Sequence, residues 1–466
     1  MLFSSISFLY YFLPCVVILY LAVPKCLKNG VLLLSSLFFY GWGEPKYLVF
    51  MLFSITQGYV FGVLIEKHRD TKRSKVFLTA SVLLSLSLLV YCKYADFFIE
   101  SFNAATGLSV SLLGIALPIG ISFYTFQTLS YVIDVYRGGV PAQKNYIDLA
   151  AYIAMFPQLI AGPIVRYSDI ARQLKERTQS LDDVALGVRR FILGLGKKIL
   201  IANVLGELVS IFKASEEKSA LYFWLYAAAY LLHVYFDFSG YSDMAIGLGR
   251  VFGFRFSENF NYPYIAGSIT EFWRRWHISL GSWFRDYLYI PLGGNRVGRA
   301  RWLLNIFVVW MATGLWHGAA WNFVVWGLMF AVLLIVEKLW LGKLLERSKV
   351  LSHVYVLFFL TLSYVIFDAS SVTEGFAYIA AMLGRAGLPA VTFESVYYLK
   401  SYLIVLLIAV IGATPLPRKL AAAAERGERT AAVFRAAEPL ALTALLAVCT
   451  AFLIDGSFNP FLYFRF

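Results

Sequence analysis

The sequence contains a series of long apolar runs, and a helix needs about 20 such residues to cross a hydrocarbon core of ~30 Å. Long runs lie at residues 2–23, 46–65, 76–93, 117–136, 184–212, 219–236, 352–368, 394–412 and 433–454. Shorter or broken runs lie at 29–42, 146–165, 239–254 and 302–336. The strict alternation of membrane β-strands is absent. The runs therefore predict an all-α, polytopic integral membrane protein with about 10 to 12 transmembrane helices.

Composition agrees with this class and excludes most others. Hydrophobic residues make up 60% and charged residues 15% of the 466 residues, whereas a soluble domain is about 25% charged. Four cysteines over this length do not form a disulfide framework. No low-complexity linker divides the chain, so we expect a single membrane domain over residues 1–466. The first apolar run lacks a basic start, and we expect a spanning helix there rather than a signal peptide.

The positive charge of the chain is explained by membrane topology. Lys and Arg number 41 against 28 Asp and Glu, which gives a net charge of +13. Many of these residues collect in short connectors, such as residues 67–75 and 418–435, as cytoplasmic loops do. The charge therefore predicts a multi-pass protein of the cell (plasma or inner) membrane, surrounded by lipid bilayer, and no nucleic-acid partner. A second role for some basic residues is attraction of an anionic cytosolic ligand such as a nucleotide-bearing cofactor.

Two of the apolar runs are predicted to be broken or re-entrant. Residues 146–165 lie between two basic connectors and contain the sequence FPQLIAGP, whose prolines and glycine interrupt a helix. Residues 302–336 would form a helix of ~52 Å, which is too long for a bilayer unless steeply tilted. Both ends of that run are basic, so a hairpin with its break at residues 316–318 fits better. His317 would then lie within the thickness of the membrane.

His317 is the first candidate for chemistry, because ionisable side chains inside a membrane are costly and commonly functional. It lies in GLWHG at residues 314–318, where small residues allow close approach and tryptophans limit access of water. A neutral imidazole can accept a proton at physiological pH. The alternative is a structural histidine packed between tryptophans.

His277 is the second candidate and lies in EFWRRWHISLGSWFRDYLYIPLGGNR, residues 271–296. Arginines and aromatic residues recur there at helical spacing, which is typical of an amphipathic segment in the membrane interface. An electrostatic anchor on anionic lipid is the alternative for the arginines. His233, with Asp237 four residues later, is predicted to be structural, with half of a proton relay as the less favoured alternative.

Other catalytic signatures are absent from the sequence. There is no phosphate-binding P-loop, no clear nucleophile elbow and no cluster of His, Cys and Asp with zinc-ligand spacing. We therefore predict no metal. Gly247, Gly249 and Gly253 only weakly match a dinucleotide fingerprint, and no strand precedes them.

Several strings together resemble the membrane-bound O-acyltransferase family, in its bacterial branch of alginate O-acetylation proteins. In addition to residues 271–296 and 314–318, the matching strings are PIGISFYTF at 118–126, FPQLIAGP at 156–163, YFDFSGYSDMAIG at 235–247, NFNYPY at 259–264 and NPFLYF at 459–464. The motif-bearing core spans about residues 117–336, and the helices at 340–454 are less distinctive.

The resemblance implies transfer of an acyl group from cytosolic acetyl-CoA, across the membrane, to an extracytoplasmic or cell-surface polysaccharide such as alginate or another exopolysaccharide. The near-universal histidine of the family matches His317, which would be the general base, and its second motif position matches His277. Arg274, Arg275, Arg285 and Arg296 would bind the phosphates of the donor. Relatives in this branch work with a separate extracytoplasmic acetyltransferase, so we expect such a partner protein.

Two other functions remain open at this point. Within the same class, the chain could transfer D-alanyl or another acyl group to teichoic acid or a different cell-wall polymer. From another class, a secondary transporter would also have broken helices and buried polar residues. Transporters usually contain paired repeats, and neither histidine motif has a second copy in the sequence.

Overall fold

A computed structural model describes residues 1–43, 45–160 and 162–456, and the ordered elements in these ranges are helices. No β-strand occurs among the described residues, so the predicted all-α class is confirmed. Residues 459–464, which carried part of the family resemblance, lie outside the described ranges. The chain divides into two compact units, Met1–Phe191 with Met244–Ser257, and Ile192–Asp243 with the residues from Glu258 onward. The single domain expected over residues 1–466 stays a prediction.

The first unit contains the following helices. They are α1 (Leu13–Ala22), α2 (Lys28–Gly41), α3 (Leu48–Lys67), α4 (Lys72–Lys93), α5 (Ala95–Thr106), α6 (Ile121–Tyr136), α7 (Tyr146–Ala154), α8 (Phe156–Leu159), α9 (Tyr167–Glu176) and most of α10 (Leu181–Gly196). A π-helical turn, Ser7–Phe12, precedes α1. Buried phenylalanines form part of its core, with Phe3 and Phe8 4.8 Å apart and Phe39 and Phe156 5.6 Å apart between ring centroids.

The predicted break in residues 146–165 is confirmed. Helix α7 ends at Ala154, Met155 has a non-helical backbone, and α8 runs for a single turn. Side chains bind the backbone carbonyls around the break: Gln158 Nε2 donates to the carbonyl of Tyr152, and the Tyr152 hydroxyl donates to the carbonyl of Val165. Irregular backbone of this kind needs such internal partners at membrane depth.

The second unit contains the remaining helices. They are α11 (Val204–Ala214), α12 (Ala220–Val251), α13 (Ile269–Arg275), α14 (Ile278–Phe284), α15 (Arg299–His317), α16 (Trp321–Val336), α17 (Gly342–Leu345), α18 (Lys349–Asp368), α19 (Val372–Met382), α20 (Phe393–Gly412), α21 (Leu416–Ala424) and α22 (Glu428–Ile454). The C-terminal part of α12, from Met244, belongs to the first unit. The core of the second unit lies where α12, α13, α16 and α18 pack together.

Helix α12 corrects one sequence-based expectation. The apolar runs at 219–236 and 239–254 were predicted to be separate, but one helix of 32 residues covers most of both. The polar residues that interrupt the apolar pattern do not interrupt the helix, because Asp237 is buried and ion-paired with the equally buried Lys198. Ionic pairing of this kind lets a charged residue remain in a buried helix.

The hairpin predicted in residues 302–336 is confirmed. Helix α15 ends at His317, Gly318 has an extended backbone, and α16 starts at Trp321. The two arms touch through their backbones: a Cβ atom on Gly314 would lie 2.3 Å from the carbonyl oxygen of Phe323. The second arm is longer than the apolar run suggested, because it continues through the π-helical turn Glu337–Leu341 into α17.

Six helical segments of the described chain are long and apolar enough to cross a membrane. They are Pro45–Lys67, Lys72–Thr106, Trp321–Leu345, Lys349–Asp368, Phe393–Gly412 and Arg429–Ile454. The first apolar run forms a shorter helix, Ser7–Ala22. The multi-pass architecture is therefore confirmed, whereas the count of about 10 to 12 crossings, the re-entrant placement of the broken runs and the depth of His317 stay predictions.

Candidate active site

His277 stands at a sharp break in the segment that carries the arginines. Helix α13 ends at Arg275 and α14 begins at Ile278, so the interfacial segment is divided into short helices. His277 itself has φ of 43° and ψ of 54°, in the left-handed region that a non-glycine residue rarely adopts. Such strain persists only where surrounding contacts hold it, and it commonly marks functional positions.

The contacts that hold His277 come from Asn259. The Oδ1 atom of Asn259 lies 3.1 Å from His277 Nδ1, and it accepts the backbone N–H of Ser279 at 3.2 Å and the Ser279 hydroxyl at 2.9 Å. The main chain is tied as well, because the N–H of Ile278 donates to the Asn259 carbonyl. One asparagine therefore fixes both the backbone and the ring of His277.

The ring of His277 is enclosed by aromatic side chains. Its centroid lies 4.7 Å from that of Phe238 in an edge-to-face arrangement and 5.8 Å from that of Trp316. His277 is 1% exposed and lies outside the six candidate spans. Burial, together with the nearby His317, holds its pKa well below the usual value, so the imidazole is neutral at pH 7.

His317 is the last residue of α15 and faces an aromatic wall. Its ring centroid lies 5.0 Å from Trp326, 5.1 Å from Trp316 and 5.4 Å from Phe367. The loop that follows His317 is anchored by Asn322, whose amide group donates to the carbonyl of Ala369 at 2.9 Å. Trp316 thus contacts both predicted catalytic histidines, and the fold brings together two motifs that are distant in the sequence.

A cavity of about 470 Å³ is lined by His277, whereas His317 is not part of its lining. Thr313, one helical turn before His317, lines it from α15. Its wall is mostly apolar and aromatic, with contributions from Trp273 and Trp310, whose ring centroids are 4.6 Å apart. A mainly apolar cavity with a few convergent polar groups is the usual form of a small-molecule site.

The four predicted donor-binding arginines separate into two groups. Arg274 and Arg285 line the cavity, and Arg285 is also bound by the adjacent Asp286 at 2.7 and 3.1 Å. Arg275 does not line it, because Glu271 holds its guanidinium at 2.8 Å. Arg296 is exposed, follows the turn at residues 293–295, and does not line it either.

Lys338 lines the cavity, although the sequence suggested no role for it beyond a basic helix end. Its Nζ atom lies 5.6 Å from the ring centroid of Trp302. Within the part of the chain that the structure describes, neither Lys338 nor Arg274 forms a salt bridge. The cavity therefore has cationic side chains available to an anionic group.

Glu337 is a further residue that the sequence did not reveal. Its buried carboxylate accepts the backbone N–H groups of Ile269 and Thr270 at 2.5 and 3.0 Å, and the Thr270 hydroxyl at 2.9 Å. These groups form the start of α13, so the carboxylate caps that helix. Glu337 thereby connects the second hairpin arm to the helix that carries Trp273 and Arg274.

His233 and Asp237 lie apart from the cavity lining. The Nδ1 atom of His233 bonds to the carbonyl oxygen of Ala202 at 2.6 Å, and Asp237 pairs with Lys198. These contacts agree with the structural role predicted for His233. Among the described residues, no group of three or more His, Cys, Asp or Glu side chains is arranged to hold a metal ion.

Sequence comparisons define the class of protein to which this site belongs. Residues 139–344, which include both histidines and the cavity, match the model of the membrane-bound O-acyltransferase family (MBOAT). A probable alginate O-acetylase of Azotobacter vinelandii is 40% identical over the whole of both chains. The protein is therefore a membrane O-acyltransferase.

More specifically, the chain belongs to the MBOAT family, in its alginate O-acetylase branch. A peptidoglycan O-acetyltransferase of Helicobacter pylori is 33% identical over 83% of this chain and 80% of its own length. A teichoic acid D-alanyltransferase of Bacillus subtilis is 29% identical over 46% of this chain and 58% of its own length.

Proposed function

We propose that this protein transfers an acetyl group from cytosolic acetyl-CoA to a hydroxyl group of an extracytoplasmic polysaccharide, alginate or a related exopolysaccharide. The observation that carries the proposal is the contact of both histidines with Trp316, together with a cavity that His277 lines and that also presents cationic side chains. The acetylating relatives align over most or all of this chain, which favours acetyl over D-alanyl as the transferred group.

In this proposal His317 is the general base. The acceptor hydroxyl gives its proton to the imidazole as its oxygen attacks the thioester carbonyl, so a C–O bond forms. The C–S bond then breaks, and the proton passes to the departing thiolate, which leaves as the thiol of coenzyme A. A positioned base contributes about 10²- to 10⁴-fold to the rate of such a step. The aromatic wall around His317 limits competing attack by water.

His277 is the second catalytic group of the proposed site. It lines the cavity, and its ring is held between Phe238 and Trp316. A neutral imidazole there accepts a hydrogen bond from a neighbouring hydroxyl of the acceptor sugar, and this orients the reacting hydroxyl toward the thioester and His317. The strained backbone of His277 agrees with a role that requires a defined ring position.

Arg274, Arg285 and Lys338 are the side chains that we assign to the phosphate groups of the donor. All three line the cavity, and two of them form no salt bridge among the described residues. Guanidinium and ammonium groups form strong charge-assisted hydrogen bonds with phosphate oxygens. Arg275 and Arg296 receive weaker support for the same role, because neither lines the cavity.

The proposed setting is the cell membrane, with a separate extracytoplasmic acetyltransferase as the partner that completes delivery to the polymer. The apolar helices support residence in a bilayer, and the broken elements provide irregular backbone of the kind that lines a passage. D-alanyl transfer remains the second candidate, supported by the Bacillus subtilis relative.

The composition of the polymer tests this proposal in cells. Cells that lack the gene are complemented with the wild type, with His317→Ala, or with His68→Ala as a histidine control far along the sequence from the site. Mild alkali then releases ester-linked groups from the purified cell-surface polymer. The proposal expects acetate from the wild type and the His68→Ala strain and little from the His317→Ala strain. Release of D-alanine in this pattern would favour the second candidate, and unchanged acetate in all strains would contradict the proposal.

A further inference from the structure

The hydrogen bonds around Asn259 determine which nitrogen of His277 carries the proton. The backbone N–H of Ser279 can only donate, and it points at the same side-chain atom of Asn259 that faces His277. That atom is therefore the amide oxygen, which only accepts. The Ser279 hydroxyl also lies 3.4 Å from His277 Nδ1, but it donates its hydrogen to Asn259 at the shorter distance of 2.9 Å. His277 therefore donates its Nδ1–H toward these oxygens, which leaves Nε2 as the nitrogen with a free lone pair.

The other end of the ring agrees with this assignment. Nε2 of His277 is buried and has no hydrogen-bond partner among the described protein atoms, although the residue lines the cavity. A buried polar atom without a partner is rare and calls for an explanation, such as a bound ligand or a catalytic role. A lone pair presented to a substrate hydroxyl supplies such a role.

We propose that Asn259 is a positioning residue that holds His277 in its Nδ1–H form, so that Nε2 acts only as a hydrogen-bond acceptor toward the substrate. This inference rests on the proposed acyl transfer and adds to it the tautomer of the His277 imidazole. His277 then orients the acceptor sugar through a neighbouring hydroxyl, while His317 takes the proton of the reacting hydroxyl, and His277 does not donate a proton from Nε2 to the departing thiolate. Ser279 supports this arrangement, because its N–H and hydroxyl both bind the same oxygen of Asn259.

The charged groups around His277 give the direction of a pH effect. His317 faces it from α15, and the cavity brings Arg274, Arg285 and Lys338 from the neighbouring elements. These neighbours are all basic, and none of the residues that line the cavity is acidic. A carboxylate introduced at position 259 would therefore stand alone beside the imidazole and would stabilise its protonated form, shifting its titration upward by about 1 to 3 pH units.

The test compares three substitutions of the full-length protein in membrane preparations from the native host that retain the extracytoplasmic partner, with radiolabelled acetyl-CoA as donor and label in the polysaccharide as readout. Asn259→Leu removes the acceptor and should lower kcat by about 100-fold, as misplacement of a positioning group by about 1 Å can do, with little change in KM for acetyl-CoA. Asn259→Asp keeps an acceptor oxygen and should recover much of that loss at pH 8.5. Asn261→Ala is the matched control, since its side chain is exposed and only its main chain contacts Arg275.

The pH profile separates positioning from simple structural support. With Asn259→Asp, the acid limb of kcat against pH should move upward relative to the wild type, because His277 must be neutral to accept a hydrogen bond at Nε2. A purely structural role would lower activity without moving this limb. Asn259→Leu with wild-type kcat, or Asn259→Asp with an unmoved acid limb, would overturn the proposal. If Asn259→Leu does not fold, the acid limb of Asn259→Asp still decides.

The same assay distinguishes failure of the inference from failure of the proposed function. If the wild type transfers no label, the acetyl-transfer function itself is contradicted. If the wild type transfers label and the position 259 variants behave like it, only the role of Asn259 is contradicted.

Discussion

The imidazole of His277 and the indole of Trp316 lie with their ring centroids 5.8 Å apart, and Trp316 immediately precedes His317 in the chain. This contact joins the break between α13 and α14 to the tip of the α15–α16 hairpin. Each histidine is held from a different side, His277 by Asn259 and His317 by the aromatic wall of Trp326 and Phe367. The geometry of the candidate site therefore depends on how the α13–α14 break is positioned relative to the tip of the α15–α16 hairpin.

The two hairpin arms, α15 and α16, approach each other closely at Gly314. Gly314→Ala should reduce both folded yield and acyl transfer, because the added Cβ would lie 2.3 Å from the Phe323 carbonyl oxygen and would push α15 away from α16. Overpacking of this kind costs about 1–3 kcal/mol, and displacement of His317 adds a loss of rate. Size-exclusion profiles in detergent and label transfer measure the two effects.

Gly298→Ala is the matched control for that substitution. Gly298 has φ of −59°, and nothing lies within 4 Å of a Cβ atom added there. It should retain wild-type yield and activity. Wild-type yield and activity in both alanine variants would show that the close contact of the hairpin arms is not needed for folding or acyl transfer.

The carboxylate of Glu337 caps the start of α13. Glu337→Ala leaves the backbone N–H groups of Ile269 and Thr270 without their acceptor, which should cost about 1–3 kcal/mol of folding free energy for each group that stays unsatisfied. Glu337→Gln keeps one acceptor oxygen and should be milder. The midpoint of thermal unfolding in detergent should be lowest for Glu337→Ala and intermediate for Glu337→Gln. Glu346→Ala, at an exposed position, is the control and should keep the wild-type midpoint. An unchanged midpoint for Glu337→Ala would contradict the capping role.

Lys338 and Arg274 are expected to act in binding of the acetyl-CoA donor and not in the acyl-transfer step. Lys338→Ala and Arg274→Ala should each raise KM for acetyl-CoA about 10-fold or more, because a hydrogen bond to a charged group contributes about 1.5–3 kcal/mol. Their kcat values should change little, since neither side chain takes a proton in the reaction. Steady-state transfer at varied acetyl-CoA concentrations gives both constants.

Exposed Arg299 provides the control for the loss of one positive charge, because it does not line the cavity. Arg299→Ala should keep the wild-type KM. If all three substitutions raise KM equally, the effect comes from net charge at the membrane surface rather than from the cavity.

Much of this architecture could be predicted from the sequence. The basic ends of residues 302–336 and the glycine after His317 indicated the hairpin, and the prolines of residues 156–163 indicated the break after α7. Periodicity and length carry such information because they act locally. The continuity of α12 was missed for the opposite reason, since the pairing of Asp237 with Lys198 depends on a neighbouring helix.

The candidate site was predicted only in part. The histidine motifs were visible as strings, and the contact of both with Trp316 required the tertiary structure. Lys338 lies in a π-helical turn and lines the cavity only because the helices pack together in the tertiary structure. No local sequence pattern predicts this position. Asn259 stood within a matching string, and its role became visible only when its oxygen was found against His277 and Ser279.

The general-base role of His317 can be tested by the initial rate of label transfer from radiolabelled acetyl-CoA to polysaccharide. The membranes retain the extracytoplasmic partner and contain the wild type, His317→Ala or His68→Ala at matched protein amounts. The general-base role predicts wild-type rates for His68→Ala and a loss of about 10²-fold or more for His317→Ala, with the variant still folded in detergent. A folded His317→Ala protein that transfers label at the wild-type rate would contradict it.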